Sequence, residues 1–424
     1  MSSLPPVLPI QPFHRSVLGA VALPGSKSIT NRALVLAAIG DREITLTGAL
    51  FSRDTRIMIA ALQALGFFVR ADESEHTITV VGQGGKIPHR EATIDVGNAG
   101  TAARFLTALV CLREDGVYHF DGDEAMRRRP IGPLLEALES QGAHANARHF
   151  PFTLRTAGLT GGIVHLDASE SSQLLSALLL VAPRARARLE VALKGETVSR
   201  PFVAMTERML AQFTPTPERY AIEVDASAAS YFLALPLAAE ATVQLPGFTS
   251  DGLQGDAAFA GVLRETGLRV ERLRARDGVE TSRIPNRKRN GLIVDFNAFS
   301  DTFLTLAALA PLLDGPTRIT GIAHTRKQET DRVAGMAAEL RKLGQHVVEE
   351  HDALEIHPRP LTRDVEIETY HDHRFAMSFG ILGCHDLTGD GRPWLKIKDP
   401  ACCAKTFPDF FARLEALRTG QPFT

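Results

Sequence analysis

Six stretches of this chain set small or polar residues in front of a strongly apolar run, and most carry groups able to hold an anion. They read "GSKSITNRALVL" from Gly25, "GNAGTAARFLTALV" from Gly97, "SESSQLLSALLL" from Ser169, "DASAASYFLALPL" from Asp225, "SDTFLTLAALAPLL" from Ser300 and "HDHRFAMSFGIL" from His371. The first supplies Lys27, Ser28 and Arg32, the second Asn98, Gly100, Thr101 and Arg104, and the third Ser171, Ser172 and Gln173. The fifth supplies Asp301, and the sixth Asp372, His373 and Arg374. Neighbouring segments add Arg127, Arg128 and Arg129 before Pro130, Ser199 and Arg200 in "GETVSRPF", Gln328, Glu329 and Arg332 in "HTRKQETDR", and Lys405 in "CCAKTFPDFF". A guanidinium offers a planar fork to carboxylate or phosphate, and an ammonium offers a point charge. A carboxylate among such cations can take or give a proton. The set suits a reaction between anionic small molecules.

Two simpler chemistries do not fit. Gly25-Ser26-Lys27-Ser28 resembles a nucleotide phosphate loop, but that loop needs Gly and Lys adjacent, and Ser26 separates them. His371 and His373 stand two apart, without the i, i+4 spacing of a helical metal pair, so no metal site is expected.

These groups need a scaffold that collects helix starts. Anchored on Ser28, Gly100, Ser172, Ala228, Asp301 and His373, the stretches recur at steps of 72, 72, 56, 73 and 72 residues. Between them lies a second, amphipathic helix type ending in Gly66, Gly142, Gly267 or Gly344, which suits the left-handed position after a helix. Alternating β-branched runs follow. Each unit reads as strand, helix, strand, helix, strands, and the period marks a sixfold repeat. The short step places a boundary near Asp225, giving an α/β (α+β) chain with a three-unit domain at 24–226 and a second at 1–23 plus 227–424. Helices apolar nearly all round belong inside each domain. Their N-termini carry the positive end of the helix dipole toward an anion.

Composition bounds the partners. Over 424 residues the net charge is −2, which argues against a nucleic-acid face. The four cysteines form no C-x-x-C pair, the first residues show no signal-peptide pattern, and the apolar runs are too short to span a bilayer. A cytoplasmic protein is expected.

The motifs "LPGSKSITNRAL", "GNAGTAARF", "RRRPIGPL", "SSQLLSALL", "DASAASYFLA", "QETDR", "HDHRFAM" and "AKTFPDFF", in this order along the whole chain, resemble the 5-enolpyruvylshikimate-3-phosphate synthase family. The resemblance implies two domains, each of three βαβαββ units around buried parallel helices, that close over shikimate 3-phosphate and phosphoenolpyruvate. It implies attack of the shikimate 5-hydroxyl on C2 of phosphoenolpyruvate, protonation at C3, then loss of phosphate, in the shikimate pathway to aromatic amino acids. No cofactor is implied, and a monomer is expected. Carried over by motif, Lys27, Arg129, Arg332, Arg374 and Lys405 hold phosphoenolpyruvate, with Gly100 against it, and Asn98 and Gln328 are further substrate-binding residues. Ser28, Arg32, Ser171, Ser172 and Ser199 hold shikimate 3-phosphate, and Gln173 sits between the two. Asp301 is the implied base, and Glu329 and Lys27 are the candidates for proton transfer at C3. Glyphosate is implied as an inhibitor at the phosphoenolpyruvate pocket.

The sequence departs from the commonest family pattern at Phe202 for Tyr, Gln328 for Lys, His324 for Asn and Phe105 for Pro. The alternatives are the UDP-N-acetylglucosamine enolpyruvyl transferase, which carries a Cys where Glu124 stands here, and a non-catalytic anion-binding relative.

Overall fold

A computed structural model describes residues 4–195, 200–274 and 277–421. The chain forms two compact units, one of residues Gly25–Glu223 and one of Met1–Pro24 with Val224–Thr424. The apolar stretches are helices. In the first unit they are α1 (Lys27–Ile39), α2 (Gly100–Val110) and α3 (Ser172–Val181). In the second they are α4 (Ala226–Ala238), α5 (Phe303–Leu309) and α6 (His373–Gly383).

Burial follows from composition. Every residue of α2, α5 and α6 is buried, as is α1 from Ile29 onward. A helix without a polar face must be surrounded by other elements. Its hydroxyls then bond locally, as Thr107 does to the Ala103 carbonyl at 2.7 Å, or across helices, as Ser230 and Thr305 do at 3.0 Å. Four of the six starts are capped by a side chain that accepts a backbone N–H: Ser26, Ser171, Asp225 and Asp372. In these four stretches the cap is one of the small or polar residues that precede the apolar run.

The repeat unit is seen whole at Glu91–Asp95, α2, Gly116–Asp121, Gly132–Glu139, His144–Ala145 and Phe152–Thr156. Its first two strands are parallel and its last three antiparallel. The same pattern runs from Ile293–Asp295 to Ala353–His357. Two units take their first strand from a distant part of the chain. Arg219–Ala221 lies parallel to Glu43–Thr47, and Val17–Ala20 lies parallel to Ala241–Pro246.

Two repeats are shorter than the sequence period suggests. The third has only Gly162–Leu166 beside Leu189–Leu193, because the next strand, Arg219–Ala221, leaves to complete the first sheet. That missing hairpin accounts for the step of 56. The sixth sheet is Val365–Ile367, Leu395–Lys398 and Val7–Pro9, the last supplied by the N-terminal arm. Gly66, Gly142, Gly267 and Gly344 have φ of 90°, 99°, 100° and 84°, the left-handed backbone that a Cβ disfavours.

Candidate active site

In the unit of residues 25–223 the candidate residues gather at the starts of α1, α2 and α3. Arg32, one turn into α1, is 2% exposed. Its Nε donates to Thr206 Oγ1 at 2.8 Å, Nη1 to the Ser28 carbonyl at 3.0 Å, and Nη2 to Ser176 Oγ at 3.1 Å and the Phe202 carbonyl at 3.2 Å. The Phe105 ring lies 5.1 Å from the guanidinium carbon. All these partners are neutral. No carboxylate pairs with Arg32 among the described residues, and burial alone pulls its pKa down. A buried cation with no counter-charge is costly unless an anion arrives.

Lys27 Nζ lies 3.4 Å from the buried Asp54 carboxylate. Arg129 Nη1 reaches Asn98 Oδ1 at 3.4 Å, and its guanidinium lies over the start of α2. A Cβ on Gly100 would stand 2.6 Å from both Nη1 and Nη2 of Arg129. Here Gly100 is therefore the residue that lets Arg129 lie across the helix start. Arg127 and Arg128 instead turn outward, to Asp121 at 2.7 Å and Glu124 at 2.6 Å. Arg104 bonds to the Gly100 and Pro130 carbonyls and braces this corner. Ser171 caps α3 by accepting from Gln173 N at 3.3 Å, Ser172 is buried, and Gln173 keeps a buried Oε1 that finds no hydrogen-bond partner among the described residues. Ser199 lies outside the described residues.

In the other unit the candidates form one ionic network. Arg332 is the hub, 2% exposed at the side chain. Its Nε meets Asp372 Oδ2 at 2.7 Å, its Nη1 meets Asp301 Oδ1 at 3.1 Å, and its Nη2 meets Glu329 Oε2 at 3.0 Å. Gln328 Oε1 also accepts from Nη1. The second Asp301 oxygen holds Arg374 Nη2 at 2.6 Å, and the second Glu329 oxygen holds Lys405 Nζ at 2.7 Å. Burial opposes the charge on Arg332, but Asp372, Glu329 and Asp301 more than offset it and hold its pKa above the ordinary value. Burial likewise opposes the charge on Arg374, and Asp301 leads the groups that outweigh it.

Three buried cations interleaved with three carboxylates can bind an anion and exchange a proton beside it. The departures from the family pattern fit these surroundings. His324 Nε2 bonds to Ser300 Oγ at 2.8 Å, next to Asp301, and Gln328 bonds to Arg332. The Phe202 ring centre lies 6.0 Å from the Arg32 guanidinium carbon.

Sequence reasoning missed Asp256, Tyr231 and Asp54. Asp256 is 5% exposed and accepts from Ser227 Oγ. Burial, with the nearby Asp301 charge, pushes its carboxyl up to about 7. Tyr231 Oη lies 3.4 Å from Arg374 Nη1. Of the three, only Asp256 had a signal, as the one acid in "LQGDAAFAG" on the route back from the fourth helix.

Repeated βαβαββ units around buried helices, with cations and acids at the helix starts, define an enolpyruvyl transferase fold. The solved EPSP synthase of Acinetobacter baumannii matches it with a TM-score of 0.79 at 24% identity, covering 97% of this chain and 98% of that one. The enolpyruvyl transferase NikO from Streptomyces tendae matches with 0.71 at 18%, covering 97% of each. Residues 14–216 and 214–414 match the family model described as EPSP synthase (3-phosphoshikimate 1-carboxyvinyltransferase), and the chain belongs to that family. A 3-phosphoshikimate 1-carboxyvinyltransferase from Opitutus terrae is 54% identical over 98% of both chains. One from Nostoc punctiforme is 38% identical over 95% of this chain and 97% of its own.

Proposed function

We propose that this chain transfers the enolpyruvyl group of phosphoenolpyruvate to the 5-hydroxyl of shikimate 3-phosphate and releases phosphate. The observation that carries the reading is the network of Arg332, Arg374 and Lys405 threaded by Asp301 and Glu329. Lys27, Arg129, Arg332, Arg374 and Lys405 are the proposed ligands of phosphoenolpyruvate. Arg32, Ser28, Ser171, Ser172 and Ser199 are the proposed ligands of shikimate 3-phosphate, with Gln173 touching both. Asp301 takes the 5-hydroxyl proton as the oxygen bonds to C2, held in position by its two guanidinium neighbours. C3 gains a proton from Glu329 or Lys27. Loss of phosphate from C2 and of a C3 proton then forms the enol ether.

Neither metal nor organic cofactor enters this scheme. The reading includes a monomeric, cytoplasmic enzyme, and it makes glyphosate a competitor for the phosphoenolpyruvate cations. Among the described residues no helix is long and apolar enough to cross a membrane.

The test is a phosphate-release assay. Phosphate should appear only with both substrates present, and replacing shikimate 3-phosphate by UDP-N-acetylglucosamine should abolish it. Asp301→Ala and Glu329→Gln should each cut turnover roughly 10²-fold or more, with smaller effects on binding. Near-parent turnover in either variant removes that residue from the scheme.

A further inference from the structure

The segment that delivers Asp372 to Arg332 is a strained turn. Asp372 N donates to the Thr369 carbonyl at 2.8 Å, closing a four-residue turn whose central residues are Tyr370 and His371. Both have positive φ, 55° and 57°. Two successive positive φ values are the pattern of a type I′ turn, normally made by Asn, Asp or Gly. A bulky aromatic there is held against its preference, so something must hold it.

The holding group is Glu339, a fully buried carboxylate that the proposed chemistry does not use. Its Oε1 accepts from the Tyr370 hydroxyl at 2.6 Å. Its Oε2 accepts from Glu368 N at 3.1 Å and Lys342 Nζ at 2.7 Å. One carboxylate thus binds the chain on entry to the turn and again at its first central residue. Burial and this bond push the Tyr370 phenol well above its usual pKa, so it stays a donor.

Glu339 also sits on the helix that begins at Arg332, Arg332–Lys342. Seven residues is two turns, about 10 Å along one face. That face grips the turn twice, with Arg332 on Asp372 and Glu339 on Tyr370. Gly335, between them, keeps room for the aromatic rings. A Cβ there would stand 2.7 Å from Phe375 Cζ and 3.3 Å from Tyr370 Cε2.

We propose that Glu339 and Tyr370 are positioning residues for the reaction. Their buried hydrogen bond fixes the strained turn so that Asp372 holds Arg332 and caps α6 with Arg374 in the anion-binding geometry. Without it the turn relaxes toward ordinary φ, and Asp372 shifts with it. The anion then loses affinity, while Asp301 keeps its bond to Arg374 and Glu329 its bond to Lys405. This rests on the reading of those arginines as ligands of phosphoenolpyruvate.

The test is Tyr370→Phe, which keeps the ring packed against Phe375 and removes only the hydroxyl. KM for phosphoenolpyruvate should rise about tenfold, with kcat within about threefold and KM for shikimate 3-phosphate within twofold. Glu339→Ala removes the acceptor together with the bonds from Glu368 N and Lys342 and should raise the same KM by at least as much, and adding Tyr370→Phe to it should change that KM no further, because the bond it removes is already gone. A lowered melting temperature with every kinetic constant unchanged would overturn the proposal and leave a purely structural bond. Additive effects in the double variant would overturn it as well. Failure of the underlying reading looks different: the unmodified chain would release no phosphate.

Discussion

Arg332 and Asp372 are locked together inside one unit. Nε and Nη2 of the arginine lie 2.7 Å and 3.4 Å from the two carboxylate oxygens, and the side chains expose 2% and 0% of their surface. Asp372 also caps α6 through Arg374 N at 2.9 Å, so a single carboxylate orients two of the site's arginines. Removing one partner of such a pair leaves a buried charge short of its counter-ion, at a cost of about 3–5 kcal/mol. Asp372→Ala should therefore lower the free energy of chemical unfolding by that order. Asp372→Asn should cost less, because Asn still caps a helix. Equal midpoints for Asp372→Ala and the parent would show that the pair adds nothing to stability.

At Gly100 the nearest obstacle to a side chain is the far end of Arg129, which can swing away. Gly100→Ala should thus fold normally, with a melting temperature within about 2 °C of the parent. Arg129 is displaced from its position near Asn98, so KM for phosphoenolpyruvate should rise about tenfold. If KM is unchanged while Arg129→Ala raises it, the arginine has a second productive position and the close approach at Gly100 is not needed.

Asp256 predicts a pH dependence of stability. Burial and the Asp301 charge raise its folded pKa from 3.8 to about 7, with Arg374 opposing them. Between about pH 4 and 7 the unfolded chain releases this proton and the folded chain keeps it. The folded state is therefore progressively disfavoured as pH rises through that window. Above pH 7 the full cost of the buried charge is present. Asp256→Asn removes the titration, so its melting temperature should fall less than the parent's between pH 4.5 and 7.5. Parallel curves for the two proteins would place the Asp256 pKa near its ordinary value.

Much of this architecture was written in local pattern. The six helix starts were legible because a cap, a cluster of small residues and an all-apolar run need no distant partner to be recognised. Gly66 and Gly344 were legible for the same reason, since the left-handed position after a helix selects glycine. The step of 56 was visible too, but its cause was not. Arg219–Ala221 pairs with Glu43–Thr47, far back in the chain, and nothing local announces a strand that leaves its own repeat. The site divided along the same line. Arg129 could be told from Arg127 and Arg128 only by resemblance, because three adjacent arginines differ in direction and not in type. Asp54 lies in the first turn of the helix Arg53–Ala64, where an acid is common, and its burial against Lys27 does not show in the pattern. Asp256 was marked only as a lone acid among small residues, and its burial, like that of Glu339, does not show in the pattern.

Arg32 yields the prediction in which stability and function part. Its guanidinium is buried, its four hydrogen bonds go to uncharged acceptors, and no described carboxylate offsets it. A buried charge of this kind weakens the folded state, and replacing it with an apolar side chain of similar length is often neutral or stabilising. Arg32→Met keeps contact with the Phe105 ring and leaves the hydroxyls of Thr206 and Ser176, which bond to each other at 3.1 Å, with a partner. The variant should melt at the parent's temperature or above it. If the charge is kept for a phosphate, KM for shikimate 3-phosphate should rise about 10²-fold, in line with losing roughly 3 kcal/mol of charge-assisted bonding. KM for phosphoenolpyruvate, assigned to other cations, should move by less than threefold. A large loss of stability with both KM values unchanged would mean that Arg32 is an internal brace for α1, and that shikimate 3-phosphate is held elsewhere.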